Sequence, residues 1–160
     1  MIARGRDARA VSDEHAALVR RVDAELDALF ARDWSLHDLV TMQGRLKLVL
    51  LACAPLAQQE LGRLVADGKA LPPAELAARY RARVAAALAL EPTTGRHVNA
   101  LEHAFGYFRD RADDAERRHL HDCITRYARG DLSLAVVRYE LAGAAHRHEI
   151  DYLQQQIYWS

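Results

Sequence analysis

Apolar residues recur at the spacing of an α-helix along almost the whole chain, and this pattern limits the folds that the chain can adopt. The first stripe consists of Leu18, Val22, Leu26 and Leu29. Such spacing places side chains on one face of a helix, whereas the alternation typical of strands is not found. Proline, glycine and capping residues divide the pattern into successive helical segments. The sequence therefore predicts an all-α fold, a single-domain helical bundle of about seven to eight helices.

The length and composition of the chain predict its domain organisation. With 160 residues, 51% of them hydrophobic and 28% charged, the chain fits one domain with a proper core. Ser12 or Asp13 can cap the first helix. We therefore expect a flexible N-terminal arm at residues 1–11 and one helical domain over residues 12–160.

Charge, cysteine content and hydropathy argue against several classes of protein. Lys+Arg and Asp+Glu both number 22, so a general electrostatic grip on nucleic acid is disfavoured, although a local basic patch remains open. Cys53 and Cys123 are too few for a disulfide framework. The longest apolar run, at 48–56, is half a membrane span at most, and no signal-peptide core follows the basic start. We expect a cytoplasmic protein with no membrane partner.

One predicted helix ends in a segment that is apolar on every side. Ser35 and Asp38 form a start signal for this helix, which is predicted to run to about Ala54. Its last turns, at 48–54, contain only apolar residues, and a helix with no polar face is typical of the centre of a domain. We therefore expect residues 48–53 to be buried.

The predicted helix 95–111 has two specified faces. Its apolar stripe is made of Val98, Leu101, Phe105 and Phe108. Roughly opposite, where a surface helix would carry charged residues, lie Asn99, His103, Gly106 and Tyr107. A glycine costs about 1 kcal/mol relative to alanine in a helix, so we expect another group to pack closely at Gly106. Gly106→Leu would then lower stability by about 1–3 kcal/mol through overpacking. The two faces predict a second central helix, with a cleft or a packing interface on its polar side.

The polar face of this helix suggests chemistry without completing a catalytic or metal site. Asn99 and His103 lie close enough around the helix to act on one ligand. No carboxylate falls on that face to orient a catalytic imidazole, and no nucleophile lies nearby in sequence. His119 and Cys123 share a helix face as metal ligands can, but no nearby spacing supplies further ligands. We expect no metal and no cofactor.

A second candidate surface is basic. It combines Arg45, Lys47, Arg79, Arg81 and Arg83 with Tyr80. Arginines with an interleaved aromatic ring could hold phosphates and stack on a base. Tyr80 falls in the apolar stripe of its own helix, however, and several arginines on one helix are also typical of a solvated face. Both interpretations remain open from the residues alone.

Five motifs follow one another along the chain in a recognisable order. The main one is H-x-N-x-L-x-H-x-x-G-Y-F at residues 97–108, and the others are R-x-K at 45–47, E-L-G-x-x-V-A at 60–66, I-x-x-Y-x-x-G at 124–130 and Y-L-x-x-Q-x-Y at 152–158. In order and spacing they resemble the motifs of the YbgA-like domains, a bacterial family of unknown function. The resemblance runs from about residue 20 to the end of the sequence.

The resemblance implies an accessory role and also shows departures. YbgA-like domains occur alone or fused to a module that resembles iron–sulfur thiouracil desulfidases, which implies a place near modified-nucleobase or nucleotide metabolism. This chain lacks the three cysteines that such a cluster needs. Family members usually have histidines at the positions held here by Gln43 and Cys53, so a site built on them would be modified or lost.

The residues and the resemblance together favour a binding or accessory domain. It would recognise a nucleotide, a nucleic-acid segment or a partner protein through a polar cleft beside helix 95–111. The candidate binding residues are Arg45, Lys47, His97, Asn99, His103, Tyr107 and Gln156. One alternative is a small enzyme with His103 as general acid/base in modified-nucleobase or nucleotide metabolism, and a second is a module for protein–protein interaction only. A carboxylate facing His103 would favour the enzyme, whereas an open basic groove at Arg45 and Lys47 would favour the binder. The oligomeric state is left open.

Overall fold

The fold is built from helices alone over the residues that the structure describes. The computed structural model describes residues 4–160, with side chains from residue 13 onward. Within this range the helices are α1 (Arg4–Phe30), α2 (Leu36–Arg45), α3 (Lys47–Cys53), α4 (Pro55–Ala66), α5 (Pro73–Leu88), α6 (Thr94–Phe105), α7 (Asp114–Arg129), α8 (Leu134–Arg147) and α9 (Asp151–Gln154). Short 3-10 turns lie at Gly68–Ala70, Gly106–Phe108 and Ile157–Trp159. The predicted all-α class is confirmed.

The first helix carries the first predicted stripe on its buried face. All four residues of that stripe are buried: Leu18, Val22, Leu26 and Leu29. The helix begins at Arg4 rather than at the predicted cap, Ser12 or Asp13. Residues 1–3 of the predicted arm, and the side chains of residues 4–12, lie outside the described part of the chain. The division into an arm and a domain therefore stays a prediction.

Local hydrogen bonds set several helix ends. At the start of α2, the Ser35 hydroxyl accepts a bond from the backbone N–H of Asp38, and the Asp38 carboxylate accepts one from the backbone N–H of Ser35. Thr93 caps α6 in the same way through its hydroxyl oxygen. Gly130 ends α7 in the left-handed conformation, with a φ of 84°. The ends of these helices are thus fixed by residues close to them in sequence.

The helix predicted from Ser35 to about Ala54 is two helices in the structure. The chain turns at Leu46, between α2 and α3. The side-chain amide of Gln156 fills the break, because its nitrogen donates to the carbonyl of Gly44 at 2.7 Å and its oxygen accepts from the N–H of Leu48 at 3.1 Å. In an unbroken helix these two backbone groups would bond to each other. The break therefore results from a side chain inserted into the hydrogen-bond ladder by the C-terminal segment.

The short helix α3 lies at the centre of the fold. Its buried residues are Leu48, Val49, Leu50, Ala52 and Cys53, and Leu51 is half-buried. It packs against α2, α4, α5 and α6 and against the last 3-10 turn, and α6 in turn packs against α7 and α8. The predicted burial of residues 48–53 and the central placement of both helices are confirmed.

A hydrogen bond at one end and an electrostatic effect at the other indicate that α3 and α6 run antiparallel. Near the start of α6, a guanidinium nitrogen of Arg96 donates to the carbonyl of Cys53 at the end of α3, at 2.5 Å. At the other end, Lys47 in the first turn of α3 lies near enough to His103 in the last turn of α6 to affect its ionisation. This arrangement brings Lys47 to the polar face of α6.

The expected close contact at Gly106 is not found. A Cβ atom added there would meet no heavy atom within 4 Å, apart from its immediate neighbours and the backbone of its own helix. The prediction that another group packs against Gly106 is therefore wrong, and so is the reason for expecting overpacking by leucine. The helix changes to a 3-10 turn at this residue, and its backbone is turned toward open space.

Over the described range, no helix combines the length and the apolar character that crossing a membrane requires.

Candidate functional site

Four side chains at the polar face of α6 form the candidate site, which we call the α6 surface cluster: Lys47, Asn99, His103 and Tyr107. His103 and Tyr107 lie one turn apart, with ring centroids 6.2 Å from each other. Tyr107 is 37% exposed, and its ring stacks on Tyr152 of α9 at 5.1 Å and 21°. Asn99 is exposed one turn before His103. The cluster thus presents a cation, an amide, an imidazole and an aromatic ring along one surface.

The charge near His103 is positive. Partial burial of the ring and the nearby Lys47 ammonium lower the pKa of His103 below its usual 6.5. At neutral pH the imidazole is therefore mainly uncharged, with one nitrogen that donates and one that accepts a hydrogen bond. Over residues 13–160, no carboxylate is paired with His103 or hydrogen-bonded to it.

A buried tyrosine hydroxyl lies behind the cluster. The hydroxyl of Tyr152 is near Tyr107 and Gln156 but makes no well-aligned hydrogen bond with any described residue. Burial raises the pKa of this phenol above its usual 10, so the group is neutral. A buried polar group without a partner is uncommon in folded proteins and is frequently satisfied by water or a ligand.

Two of the predicted binding residues serve the fold instead of the cluster. Arg45 donates to the carboxylate of Glu25 on α1 at 2.9 Å, and this bond lowers the pKa of Glu25. Gln156 is buried and uses both its amide oxygen and its amide nitrogen on the backbone of α2, α3 and α9. The structure therefore brings Lys47, Asn99, His103 and Tyr107 to one face, whereas Arg45 and Gln156 are engaged elsewhere.

His97 also lies apart from the cluster, inside the core. Its Nδ1 is 2.7 Å from the hydroxyl of Tyr158, and the guanidinium of Arg138 lies 4.4 Å from the centre of the Tyr158 ring. Burial, with smaller effects of Arg138 and His15, lowers the pKa of His97 to about 4. His97 is therefore a neutral core histidine and not a member of the α6 surface cluster.

The buried, neutral His97 predicts a pH-dependent stability. An unfolded histidine with a pKa near 6.5 binds a proton that the folded His97 takes up only near pH 4. The neutral His97 therefore makes its full contribution to the free energy of unfolding above pH 6.5. As the pH falls toward 4, the protein loses up to about 3 kcal/mol of this free energy. Chemical denaturation at pH 7.5 and 4.5 measures this loss.

The matched variants for this measurement are His97→Gln and His146→Gln. His97→Gln removes the titrating group, so its stability should fall less with acid than that of the wild type. His146 is exposed, and its variant should keep the wild-type loss. Equal acid losses in the wild type and in His97→Gln would show that His97 is not the cause.

Gln43 and Cys53, at the two positions where the resemblance implies histidines, have separate surroundings. Gln43 accepts a hydrogen bond from the hydroxyl of Tyr80 at 2.6 Å and reaches the carbonyl of Gln58. Cys53 is buried at the far end of the seven-residue helix α3 from Lys47, about 9 Å along the axis. Burial raises the pKa of the Cys53 thiol to about 11, so it is protonated at neutral pH. Neither residue makes a contact with the α6 surface cluster through its hydrogen bonds.

Acidic side chains neutralise the positive charge of the second candidate surface, the basic one around α5. The three arginines of α5 form ion pairs, namely Arg79 with Glu75, Arg81 with Asp27 and Arg83 with Glu60. Tyr80 is buried between them and cannot stack on a base. These contacts support the solvated-face interpretation of the patch.

The histidine–cysteine pair of α7 does not form part of a larger ligand set. The sulfur of Cys123 is 3.8 Å from Nε2 of His119, which also lies 3.1 Å from the Glu140 carboxylate. No group of three or more residues arranged to hold a metal ion is found in the part of the chain that the structure describes.

A groove on the other flank of α6 was not predicted. It has a volume of about 750 Å³ and lies between α6 and α7. Among the residues that line it are Phe105, Gly106, Arg109, Arg118 and His121. The sequence contains no indication that residues of α7 line a groove, because nothing in it shows which face of α7 packs against α6. The unexplained glycine at position 106 was the one available indication.

The fold and the site define an all-α domain in which α6 with its following 3-10 turn presents amide, imidazole and aromatic groups, and α3 brings a lysine to the same face. The sequence matches the family described as "Protein of unknown function (DUF1722)" over residues 47–160, and the chain belongs to this family. It is 35% identical over 97 residues to the uncharacterized protein YbgA of Escherichia coli (strain K12). That match covers 60% of this chain and 57% of the relative, so the chain spans little more than half of its length. The resemblance to YbgA-like domains is thereby confirmed. No solved structure matches the chain.

Proposed function

We propose that this chain is a binding domain that recognises a nucleotide or a short nucleic-acid segment through the α6 surface cluster. The observation that carries this proposal is the packing of α3 on α6, which brings Lys47 within electrostatic range of His103, whose ring lies 6.2 Å from that of Tyr107 stacked on Tyr152. A cation next to a half-exposed aromatic ring is the combination that nucleic-acid-binding surfaces use. The resemblance to domains fused to thiouracil-desulfidase-like modules supports a ligand of the same chemical class.

Each member of the cluster has a role in this proposal. The Lys47 ammonium is suited to a phosphate, through a charge-assisted hydrogen bond. The neutral imidazole of His103 and the amide of Asn99 offer donors and acceptors to the edge of a base. Tyr107 offers an aromatic surface, and stacking of one base on such a ring contributes about 1–3 kcal/mol.

The environment of His103 favours binding over catalysis. A histidine that acts as general acid/base is commonly oriented by a carboxylate on its other nitrogen. The charged neighbour of His103 is Lys47, and within residues 13–160 no carboxylate bonds to its ring. We therefore assign His103 a hydrogen-bonding role toward the ligand.

Calorimetric titration tests the proposal. Nucleoside monophosphates and short single-stranded RNA are titrated into the wild type at low and at moderate salt. We expect binding below the millimolar range that weakens with salt, because part of the affinity comes from phosphate contacts. Lys47→Ala should weaken binding about tenfold, in line with one lost charge-assisted bond, and His103→Ala should weaken it as well.

Lys69→Ala is the matched control. It removes the same charge from an exposed residue in the 3-10 turn after α4. It should leave the affinity unchanged. If no ligand binds below the millimolar range, or if Lys47→Ala behaves like Lys69→Ala, the cluster does not bind nucleotides. The surface would then be interpreted as a site for protein–protein interaction.

A further inference from the structure

The groove between α6 and α7 contains two arginines without a partner in the described part of the chain. Arg109 follows the turn at the end of α6, and Arg118 lies in the second turn of α7. Both are exposed, and neither side chain forms an ion pair or a hydrogen bond with residues 13–160. Two guanidinium groups at one groove are suited to an anion with several oxygens, which arginine can bind with two parallel hydrogen bonds.

The other charged groups of the groove already have partners. Arg117 donates to the carbonyls of Arg109 and Ala112 and pairs with Asp114. The two carboxylates of the groove, Glu102 and Asp122, lie 3.6 Å from His121 and 4.0 Å from Arg126, respectively. Glu102 is compensated only when His121 is protonated, so the groove holds this carboxylate together with the guanidinium groups of Arg109 and Arg118, which have no partner among residues 13–160.

One wall of the groove is aromatic. The rings of Phe105 and His121 face each other across α6 and α7, with centroids 5.6 Å apart and planes inclined by 51°. A planar ring carried by the ligand could pack against these side chains.

Gly106 connects these features. It lines the groove, its φ of −54° is open to any residue, and no heavy atom lies within 4 Å of the place where a Cβ would be. Neither the backbone nor the packing of the protein requires glycine there, although glycine is unfavourable in a helical segment. What the missing side chain provides is open space in the groove, beside the two arginines and the aromatic wall.

We propose that this groove is a second binding site, which takes a phosphate group on a molecule with a planar ring. The phosphate lies between Arg109 and Arg118, and the ring occupies the space above Gly106 against Phe105 and His121. The site uses none of the residues of the α6 surface cluster and goes beyond the function proposed for it. The phosphate could belong to a free phosphomonoester or to a nucleic-acid strand, and the experiment separates these sources.

The probes are phenyl phosphate, inorganic phosphate and a short single-stranded RNA without a terminal phosphate, each measured by calorimetry. We expect phenyl phosphate to bind below about 10 mM and more tightly than inorganic phosphate, because the ring adds contacts. Arg109→Gln and Arg118→Gln should each weaken phenyl phosphate binding at least fivefold. Arg129→Gln, which replaces an exposed arginine at the other end of α7, should have no effect. Lys47→Ala should also leave phenyl phosphate binding unchanged, which separates this site from the α6 surface cluster.

Gly106→Leu gives a second readout. The new leucine side chain would extend into the groove, so this substitution should weaken phenyl phosphate binding at least tenfold without lowering the melting temperature. Gly62→Leu is the control, since Gly62 of α4 also has no heavy atom near its added Cβ. If RNA but not phenyl phosphate depends on Arg109 and Arg118, the phosphate comes from a strand and the site stands. If neither probe responds to the arginine substitutions, or if Gly106→Leu binds the probe that depends on the arginines as tightly as the wild type does, the proposal is overturned.

Discussion

Replacing Gln156 with leucine is expected to lower the free energy of unfolding by about 2–6 kcal/mol, since one buried and one partly buried backbone group lose their partners at about 1–3 kcal/mol each. The groups are the carbonyl of Gly44 and the N–H of Leu48, which the Gln156 amide bonds at the break between α2 and α3. Leucine has a similar size but neither a donor nor an acceptor. Chemical denaturation monitored by circular dichroism measures the loss.

Gln155→Leu is the control for this prediction. Gln155 is exposed, and its side chain makes no hydrogen bond to the described residues, so its replacement should change the stability by no more than about 0.5 kcal/mol. A loss below about 1 kcal/mol for Gln156→Leu would show that α2 and α3 can rejoin into one helix when the amide is absent. In that case the break at Leu46 would not depend on the C-terminal segment.

The second large effect is expected at the central helix. Leu50 is fully buried in α3, and Leu50→Ala should lower the free energy of unfolding by about 2–5 kcal/mol. The loss combines the transfer energy of the removed groups with the cavity that they leave. Because α3 contacts four other helices, the surrounding side chains have little freedom to close that cavity. Thermal or chemical unfolding measures the effect.

Leu56→Ala makes the same chemical change six residues later, at the start of α4. Leu56 is 71% exposed, and we expect its replacement to stay within about 0.5 kcal/mol of the wild type. Similar losses at the two positions would contradict the central position of α3. They would also remove the basis for Lys47 as a fixed member of the α6 surface cluster, because its helix would not be held by the core.

The helices could be predicted because their signals are local. The stripe that begins at Leu18, the capping box at Ser35 and the left-handed Gly130 depend on residues within one or two turns. The burial of residues 48–53 was predictable for a related reason, because a helix with no polar side chain has no face to expose. The break at Leu46 was not, since the side chain that causes it lies more than 100 residues away in sequence.

The candidate site was predictable in part. Asn99 and His103 lie one turn apart on α6, and Tyr107 lies in the 3-10 turn that continues it, so helical spacing alone places them on one face. Lys47 joined them only through the antiparallel packing of α3 on α6. Arg45, two residues from Lys47, is turned toward Glu25 on α1 instead, and Gln156 is used by the backbone. The close contact predicted at Gly106 is absent, because the sequence could not tell a close contact from an open groove.

The sequence by itself determined the all-α class, the start of the helix capped by Ser35 and which helices are central, because periodicity and capping act over a few residues. Only the tertiary structure decided which polar side chains remain available to a ligand. Ion pairs and hydrogen bonds between distant segments engage Arg45, Gln156 and the arginines of α5, and leave Lys47, Arg109 and Arg118 without such partners in the described range. A charged side chain is neutralised or left free according to the residue that tertiary packing places opposite it. The sequence separation between two such residues follows no rule, so the pairing cannot be read from the sequence.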